Sequence, residues 1–479
     1  MLLKVGLYIF LLPIVYLLTT WLLKKRKLWP FLLVAFINAV LLSFLVIFKL
    51  NDPYYFIDEE ISLMKNFKPA NKTYTSNGYK YIKDNFFIID NSFDKQLIDK
   101  PDVLGDSSNT AITDRNKLTR LFKFLSEHID SIDLVICDIG FVDPSPSDTS
   151  LKNEMYKIYA KGKLLVSDDE QNTLNSFFRF NPEIKGNIRE ETNDHRFVSH
   201  TINSRNNKSL AYKIYSFLDQ VKFSKAYLWN NAILEKDSSK KSHCALNTFI
   251  PKICLSEESF MIGEKNNGID TASEIEQPGL NWKTLGSVVN ADGQEDFLIN
   301  LGQRKQNNQR NCIFIGAFKN ADEDIHNTID KPLHGTAIIL NIVYDLHNGI
   351  HWIDFPEIIF LLIGFFIISF VLMVFATAGK IHSKNWLLKN VEYEHSKIHA
   401  HLVSKRKNRF KYLLLLFCLI IGEELHYLLL AALVFLILWY KSVFINGMYL
   451  TLYFFIFEIS MKYFSEKITT KRSSKQHEI

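Results

Sequence analysis

The chain has 479 residues, of which 47% are hydrophobic and 22% are charged, and it contains 38 phenylalanines. This mixture is typical of lipid-facing helices joined to a water-soluble domain, and it argues against a protein that lies wholly within a membrane. The formal net charge of +5 is small and unevenly spread, so it gives no support for nucleic-acid binding. The five cysteines form no CxxC pair, although Cys244 and Cys254 could form a disulfide in an oxidising compartment.

Two apolar stretches at the start of the chain predict transmembrane helices. Val5–Leu23 and Trp29–Leu50 are each long enough to span a bilayer, and a compact basic turn, Lys24–Lys27, separates them. These charges follow the first apolar run, whereas a signal peptide carries its charges before that run, so we expect the first span to be retained. The basic turn is expected in the cytoplasm. Residues 1–50 are therefore predicted to form two spans, and residue 51 onward is predicted to lie outside the cytoplasm.

Residues 51–353 carry the alternation of strands and helices that indicates an extracytoplasmic α/β domain. Short apolar runs predict strands at Phe86–Asp90, Asp133–Phe141, Lys163–Ser167, Phe297–Asn300 and Cys312–Phe318. Helical spacing and turn signals predict helices at Asp114–Leu125, from Asp148 onward, at Ser209–Gln220 and at Ala337–His347. This order predicts a mostly parallel sheet flanked by helices. The polar, weakly periodic stretch Glu235–Gly286 is interpreted as an insertion or as long loops.

Three further spans are predicted in the last third of the chain, which brings the α-helical membrane part to five. They are Phe355–Ala376, Phe410–Tyr440 and Val443–Tyr463. The domains after the α/β region are accordingly a third helix at 354–378, a basic cytoplasmic loop at 379–411, two helices within 412–463 and a basic cytoplasmic tail at 464–479. With five spans, every basic cluster falls on the cytoplasmic side.

Acidic residues interrupt the predicted membrane part. Glu423, Glu424 and His426 follow Gly422 inside a stretch that is longer than one span requires. They could face a protein interior, or they could lie near the cytoplasmic surface if the start of the stretch runs along the interface. Glu458 is another acid within the predicted fifth span. Together these residues leave an ion or proton pathway as a weaker alternative function.

Four segments of the α/β region resemble the CHASE2 sensor domain of bacterial membrane receptors. They are FFIIDNSFD at 86–94, DRNKLTRLFKFL at 114–125, DLVICDIGFVDPSPSD at 133–148, and CIFIGAFKNADEDIHNTIDKPLHGTAIILNIVYDL at 312–346. The resemblance implies a periplasmic sensor domain on a multi-pass protein of the bacterial inner membrane. The family usually has one N-terminal span and a fused signalling domain. Here two spans are predicted and only a short tail follows the last one, so we expect a separate output partner.

Two groups of residues are candidate ligand-binding positions. Asp90 and Asp138 each end an apolar run and could meet at one edge of a sheet, where α/β domains bind ligands; Asp148 follows in the next turn. Asp324 and His326 would point the same way in an extended segment, as a divalent-metal pair requires, and His334 lies nearby. Both groups could equally be hydrogen-bonding caps, and two ligands without a third do not define a metal site. No metal site is therefore predicted.

The sequence predicts a non-enzymatic protein without a cofactor, since it contains no Gly-rich phosphate loop, GxSxG or HExxH motif. The main hypothesis is a sensor that detects a small molecule or an envelope protein and acts through a separate membrane or cytoplasmic partner. The alternative is an accessory subunit of an envelope complex that uses the α/β domain as a docking surface. The expected partners are membrane lipid and either the separate protein or a second copy in a homodimer.

Overall fold

The computed structural model describes residues 28–48, 72–101, 107–168, 185–187, 191–193, 196–204, 207–229, 232–236, 241–249, 280–318, 325–328, 332–353, 355–378 and 450–460, with residues 430 and 432. They belong to two units of the chain. One unit comprises Met1–Asp52, Tyr227–Ala232 and Ile353–Ile479, and the other comprises Pro53–Ala226 and Ile233–Trp352.

Helices and strands alternate along most of the described chain. The helices are α1 (Leu28–Phe48), α2 (Lys72–Asn85), α3 (Arg115–Glu127), α4 (Asp148–Ala160), α5 (Leu210–Asp219), α6 (Leu285–Val288), α7 (Ala291–Gln306), α8 (Gly335–His347), α9 (Phe355–Ala378) and α10 (Leu450–Ser460). The first ten strands are β1 (Phe86–Asp90), β2 (Lys95–Pro101), β3 (Ser107–Thr113), β4 (Leu134–Asp138), β5 (Leu164–Asp168), β6 (Lys185–Asn187), β7 (Glu191–Asn193), β8 (Arg196–Thr201), β9 (Asn203–Ser204) and β10 (Asn207–Lys208). The others are β11 (Lys222–Trp229), β12 (Ala232–Lys236), β13 (Ser242–Leu246), β14 (Thr248–Phe249), β15 (Trp282–Thr284), β16 (Cys312–Gly316), β17 (Ile325–Thr328), β18 (Pro332–His334) and β19 (Trp352–Ile353).

The second unit contains a six-stranded sheet in the order β15-β1-β16-β4-β5-β6. Every neighbouring pair in this sheet is parallel. The sequence prediction of an α/β fold with a parallel sheet is therefore confirmed. Smaller sheets have the orders β10-β9, β2-β3, β11-β12-β13-β19 and β14-β8-β17-β18, with β7 paired to β8 in the last.

Both faces of the six-stranded sheet are buried, as the continuous apolar runs in its strands require. One face packs against α3, α4, α6 and α7, with Ile89, Cys137 and Ile315 at its centre. The other face packs against α2, α5 and α8, with Ile88, Ile136 and Phe314 at its centre. Since side chains alternate along a strand, adjacent residues of one run supply two separate cores.

Local capping explains where two of these helices begin. The Asp114 side chain accepts hydrogen bonds from the main-chain N–H groups of Asn116 and Lys117 at the start of α3. The Ser209 hydroxyl accepts one from Tyr212 at the start of α5. Such caps satisfy N–H groups that have no partner inside a helix.

One strand prediction in this region is wrong. Phe297–Asn300 forms part of α7. Phe297 and Leu301, four residues apart, are both buried, which is the spacing of one face of a helix. Within the stretch Glu235–Gly286, the described residues include strands β13, β14 and β15, while residues 237–240 and 250–279 lie outside the described part of the chain. These short strands carry too few apolar residues to show a clear period of two.

The first unit contains the apolar helices α1, α9 and α10, which share a buried polar contact. The Asn38 amide nitrogen of α1 donates a hydrogen bond to the Ser369 hydroxyl of α9 at 2.9 Å. The Tyr453 hydroxyl of α10 donates one to the amide oxygen of the same Asn38. Asn38 and Ser369 are fully buried. One buried asparagine therefore connects three predominantly apolar helices.

The prediction of five membrane spans is contradicted by the described residues. Among them one helix, α9, is long and apolar enough to cross a membrane, over Phe355–Met373. The apolar parts of α1 and α10, Leu32–Val46 and Leu450–Ser460, are shorter than the roughly 20 residues that a span needs. The predicted spans Val5–Leu23 and, apart from two positions, Phe410–Tyr440 lie outside the described residues.

Candidate functional site

The carboxyl ends of three central strands meet at one edge of the six-stranded sheet. Asp90 of β1 is in register with Gly316 of β16, and Gly316 is in register with Asp138 of β4. The two aspartates therefore flank a single glycine, about 10 Å apart at the usual strand spacing. Because residues in register point to the same face, both carboxyl groups leave the sheet on the side of α2, α5 and α8.

A close contact between a strand and a helix explains the glycine between the two acids. A Cβ atom at Gly316 would lie 2.2 Å from the methyl carbon of Thr336, in the first turn of α8. The Thr336 hydroxyl donates a hydrogen bond to the Ala317 carbonyl, which fixes this approach. Only a residue without a side chain allows α8 to begin directly over the edge of the sheet.

Asp90 is the buried centre of this edge, with 1% of its surface exposed. Its Oδ1 accepts hydrogen bonds from the main-chain N–H groups of Ser92 at 3.0 Å and Phe318 at 3.1 Å, and from the Ser92 hydroxyl. Its Oδ2 is buried and has no hydrogen-bond partner within the described residues. Buried polar atoms are usually hydrogen-bonded, so an oxygen left over in this way needs an explanation.

Asn91 contributes a second buried acceptor next to Asp90. Its main-chain N–H bonds to the Gly316 carbonyl at 3.1 Å, and its side-chain nitrogen donates to the Thr113 hydroxyl at 3.0 Å. The side-chain oxygen of Asn91 is buried and makes no hydrogen bond to the described part of the chain. Asp90 and Asn91, at the end of β1, thus each hold one acceptor oxygen for which the described residues supply no donor.

Asp94 fixes the loop that carries these groups. Its carboxylate accepts from the Lys117 ammonium at 2.6 Å and from the main-chain N–H of Gly286 at 2.9 Å. The bond to Asp94 is the main cause of a raised pKa of Lys117. Asp94 thereby links the loop after β1 to α3 and α6. Both of its carboxylate oxygens accept hydrogen bonds from the protein itself.

Arg115 and Asp148 form a buried ion pair close to the same edge. Arg115 Nε lies 3.4 Å from Asp148 Oδ1, and Asp148 Oδ2 accepts from the Ser145 main-chain N–H at 2.8 Å. The guanidinium lies over the Phe141 ring, with its central carbon 4.6 Å from the ring centroid. Burial lowers the pKa of Arg115 from its ordinary value, and the charge of Asp148 opposes that shift. The pair anchors the first turns of α3 and α4 to each other.

The structure brings together two of the three residues in the first predicted group. Asp90 and Asp138 share one level of the sheet edge, and Asp148 is the first residue of α4, where its carboxylate is engaged by Arg115 and Ser145. Asp148 therefore acts as a structural anchor.

The second group lies on another sheet. His326 is opposite Leu333 and His334 is opposite Ile325 on the paired strands β17 and β18, so the two histidines point to opposite faces. His334 is buried at the start of α8. Asp324, Glu423, Glu424 and His426 lie outside the described residues, whereas Glu458 lies in α10. No group of three metal-ligating side chains occurs in the described parts of the chain.

Cys244 is a free thiol, and Cys254, its predicted disulfide partner, lies outside the described residues. The proposed disulfide therefore stays a prediction.

Sequence reasoning missed a second buried polar cluster. Oε2 of the fully buried Glu235 lies 3.0 Å from His351 Nε2 and accepts a hydrogen bond from the Trp352 indole at 3.0 Å. Burial alone raises the pKa of Glu235, but His351 and the hydrogen bonds from His351, Trp352 and Tyr212 lower it overall. Nearby, burial lowers the pKa of His200 to about 3, with a contribution from His351. These residues are far apart in sequence and lie in no motif, so no sequence signal marks them.

The chain was compared with protein-family models, curated proteins and solved structures. No family model, curated protein or solved structure matches the chain. Function is therefore inferred from the site itself.

Proposed function

We propose that the chain is a membrane-anchored, non-enzymatic sensor whose α/β domain binds a small molecule at the carboxyl edge of its parallel sheet. One observation carries this proposal: Asp90, buried at that edge, leaves Oδ2 without a hydrogen-bond donor among the described residues. Ligands of open α/β sheets bind beyond the carboxyl ends of the strands. A bound molecule supplies the donor that the described residues do not.

The two buried acceptor oxygens that lack a donor among the described residues indicate the chemistry of the ligand. Asp90 Oδ2 and the side-chain oxygen of Asn91 are both acceptors, so the ligand must bring hydrogen-bond donors. A protonated amine suits this edge best, since it gives a charge-assisted bond to a carboxylate. Asp138 adds a second acidic group one strand beyond Gly316. We therefore assign the site to small, amine-bearing molecules.

Helix α9 supports attachment to a membrane. Only 28% of its Phe355–Met373 segment is buried, so it differs from the core helix of a soluble protein. Phe355, Ile363 and Ile367 expose large apolar side chains to the surroundings. Residues 379–411, which follow α9, are rich in Lys and Arg. By the positive-inside rule those residues are cytoplasmic, and the α/β domain before α9 lies on the other side, in the periplasm of a bacterial cell.

The proposed sensor passes its state to a separate partner protein. The four CHASE2-like segments support this proposal, because three of them contain the strands β1, β4 and β16 that carry the binding edge. In this proposal the ligand binds at the end of β1, where α8 begins over Gly316. Helix α8 is followed along the chain by α9.

The proposal is tested by measuring the thermal stability of the detergent-solubilised chain with free amino acids and polyamines. A ligand present at 100 times its Kd stabilises the folded state by about 2.7 kcal/mol. Asp90→Asn keeps an oxygen for the Ser92 and Phe318 donors but places an NH₂ group where Oδ2 stood. We expect an amine that stabilises the wild type to leave Asp90→Asn unchanged.

Asp130→Asn is the matched control, because Asp130 is exposed and lies away from the edge of the sheet. It should respond to the amine as the wild type does. An equal response from Asp90→Asn and the wild type would place the ligand elsewhere. Stabilisation by carboxylates or sugars, with no amine effective, would contradict the assigned ligand class.

A further inference from the structure

The β2–β3 ribbon is a two-stranded antiparallel sheet that stands apart from the larger sheets. Its register runs from Lys95 opposite Thr113 to Pro101 opposite Ser107. No strand of the described residues pairs with the outer edge of β2. A lone two-stranded ribbon is marginally stable in water, and an unpaired edge is a template for another strand.

The outward face of this ribbon exposes large apolar side chains. Leu97 is 70% exposed, and Phe93, just before β2, is 68% exposed. Asp99 is exposed on the same face, since it lies two residues from Leu97 along the strand. Exposed leucine and phenylalanine side chains next to an unpaired edge are typical of an interaction surface.

The inward face holds the ribbon in a fixed position. The Gln96 side chain donates to the Ser145 hydroxyl at 3.0 Å and accepts from the Arg115 main-chain N–H at 3.2 Å. At the base of the ribbon, the Asp114 N–H donates to the Asp94 carbonyl at 2.8 Å. The ribbon is therefore docked on the domain through even-numbered residues and presents odd-numbered ones outward.

The sequence of β2 is self-complementary in one register. If two copies of β2 pair antiparallel about a two-fold axis at Leu97, Lys95 of each copy lies opposite Asp99 of the other. The same register places Lys100 opposite Asp94. Axes at Lys95, Asp99 or Lys100 would bring like charges together, and axes at Gln96 or Ile98 would leave the lysines without an opposite acid. Opposite charges across strands stabilise a pair, and like charges destabilise it.

We propose that this edge is the interface between two copies of the chain. The β2 strands pair about Leu97 to form a continuous four-stranded sheet in the order β3-β2-β2-β3. Such an isologous contact uses the same patch on both copies and closes after two. The Leu97 side chains then meet at the axis, and both strand edges gain main-chain hydrogen bonds. This inference is independent of the ligand site at Asp90.

Disulfide trapping of the full-length protein in membranes tests the register directly. In Leu97→Cys the two thiols face each other across the axis, at the 4.5–5.5 Å Cα separation of opposite residues, about the span of a disulfide. Mild oxidation should convert most of this variant to a covalent dimer on a non-reducing gel. Asp99→Cys is the matched control, because residue 99 of one copy is about 13 Å along the strand from its counterpart. Equal crosslinking of the two variants, or none above wild type, would overturn the proposal.

A charge swap tests the same contact without cysteines. In the proposed dimer residue 95 of each copy lies opposite residue 99 of the other, so the contact occurs twice. Lys95→Glu alone, or Asp99→Lys alone, therefore places like charges opposite each other at both contacts. Each single variant should weaken the dimer about tenfold or more. The double variant Lys95→Glu/Asp99→Lys restores both pairs and should recover most of the dimer. Particle mass in detergent across a dilution series measures the shift. A double variant no better than the single ones would show that the two residues do not face each other.

Discussion

His200 gives the α/β unit an acid sensitivity that a single substitution should remove. The imidazole is buried, with 4% of its surface exposed, and its Nε2 lies 2.9 Å from the Ser209 hydroxyl. Burial lowers its pKa to about 3, whereas an unfolded chain has a histidine pKa near 6.5. His200→Gln places an amide nitrogen near the position of Nε2, so the contact with Ser209 is kept and the titration is lost.

The size and sign of the effect follow from the two pKa values. The folded form holds His200 neutral down to about pH 3, and the unfolded form takes up a proton below about pH 6.5. The unfolded state therefore binds more protons between these values, and stability falls as the pH is lowered through that range. Between pH 7 and pH 5 the loss from this one group is about 2 kcal/mol.

Denaturant unfolding of the detergent-solubilised chain at pH 7 and pH 5 measures this contribution. The wild type should lose about 2 kcal/mol more than His200→Gln over this interval, because all other titrating groups are common to both proteins. A parallel loss in the two proteins would show that His200 is accessible to protons in the folded state. That result would refute the assignment of a neutral, buried imidazole.

Three further substitutions test packing contacts in the two units. Arg304→Met removes the donors to three main-chain carbonyl oxygens, and we expect a loss of about 3 kcal/mol or more in denaturant unfolding. Gly316→Ala should cost about 1–3 kcal/mol through its clash with Thr336, and adding Thr336→Ser, which deletes the clashing methyl, should restore most of it. If Thr336→Ser does not restore stability, β16 and α8 are not in contact at residues 316 and 336. Asn38→Leu should lower the thermal stability of the detergent-solubilised chain by about 0.6–2 kcal/mol, whereas Phe36→Leu on the exposed face should not.

The positions of the strands were predictable because apolar runs that end in an acid leave a clear pattern. The sequence predicts strands at Phe86–Asp90 and Asp133–Phe141, and the structure has strands at Phe86–Asp90 and Leu134–Asp138, with Asp90 and Asp138 at one edge. The burial of Asp90, and the lack of a donor to its Oδ2 among the described residues, are not predictable from the sequence. They depend on Phe318, which is 228 residues away in the chain and reaches Asp90 only after β16 pairs with β1.

The remaining errors have a common physical origin. Hydropathy in a short window does not distinguish a helix from a strand at Phe297–Asn300, because four residues are too few to show which of the two periods the apolar side chains follow. Glu235, His200 and His351 belong to strands and turns that converge only in the folded domain, and their sequence spacing carries no period. Apolar runs and the positions of basic clusters predict five spans, whereas among the described residues α9 is the one helix that meets the length requirement.

The most direct test of the ligand site is a density map of the full-length protein purified in mild detergent from its source cells. We expect a small molecule at the carboxyl edge of the six-stranded sheet, with a nitrogen donor within about 3 Å of Asp90 Oδ2. Native mass spectrometry of the same sample should show the matching added mass. A map in which a side chain or main-chain N–H of the protein itself donates to Asp90 Oδ2, with no added mass, would contradict this expectation.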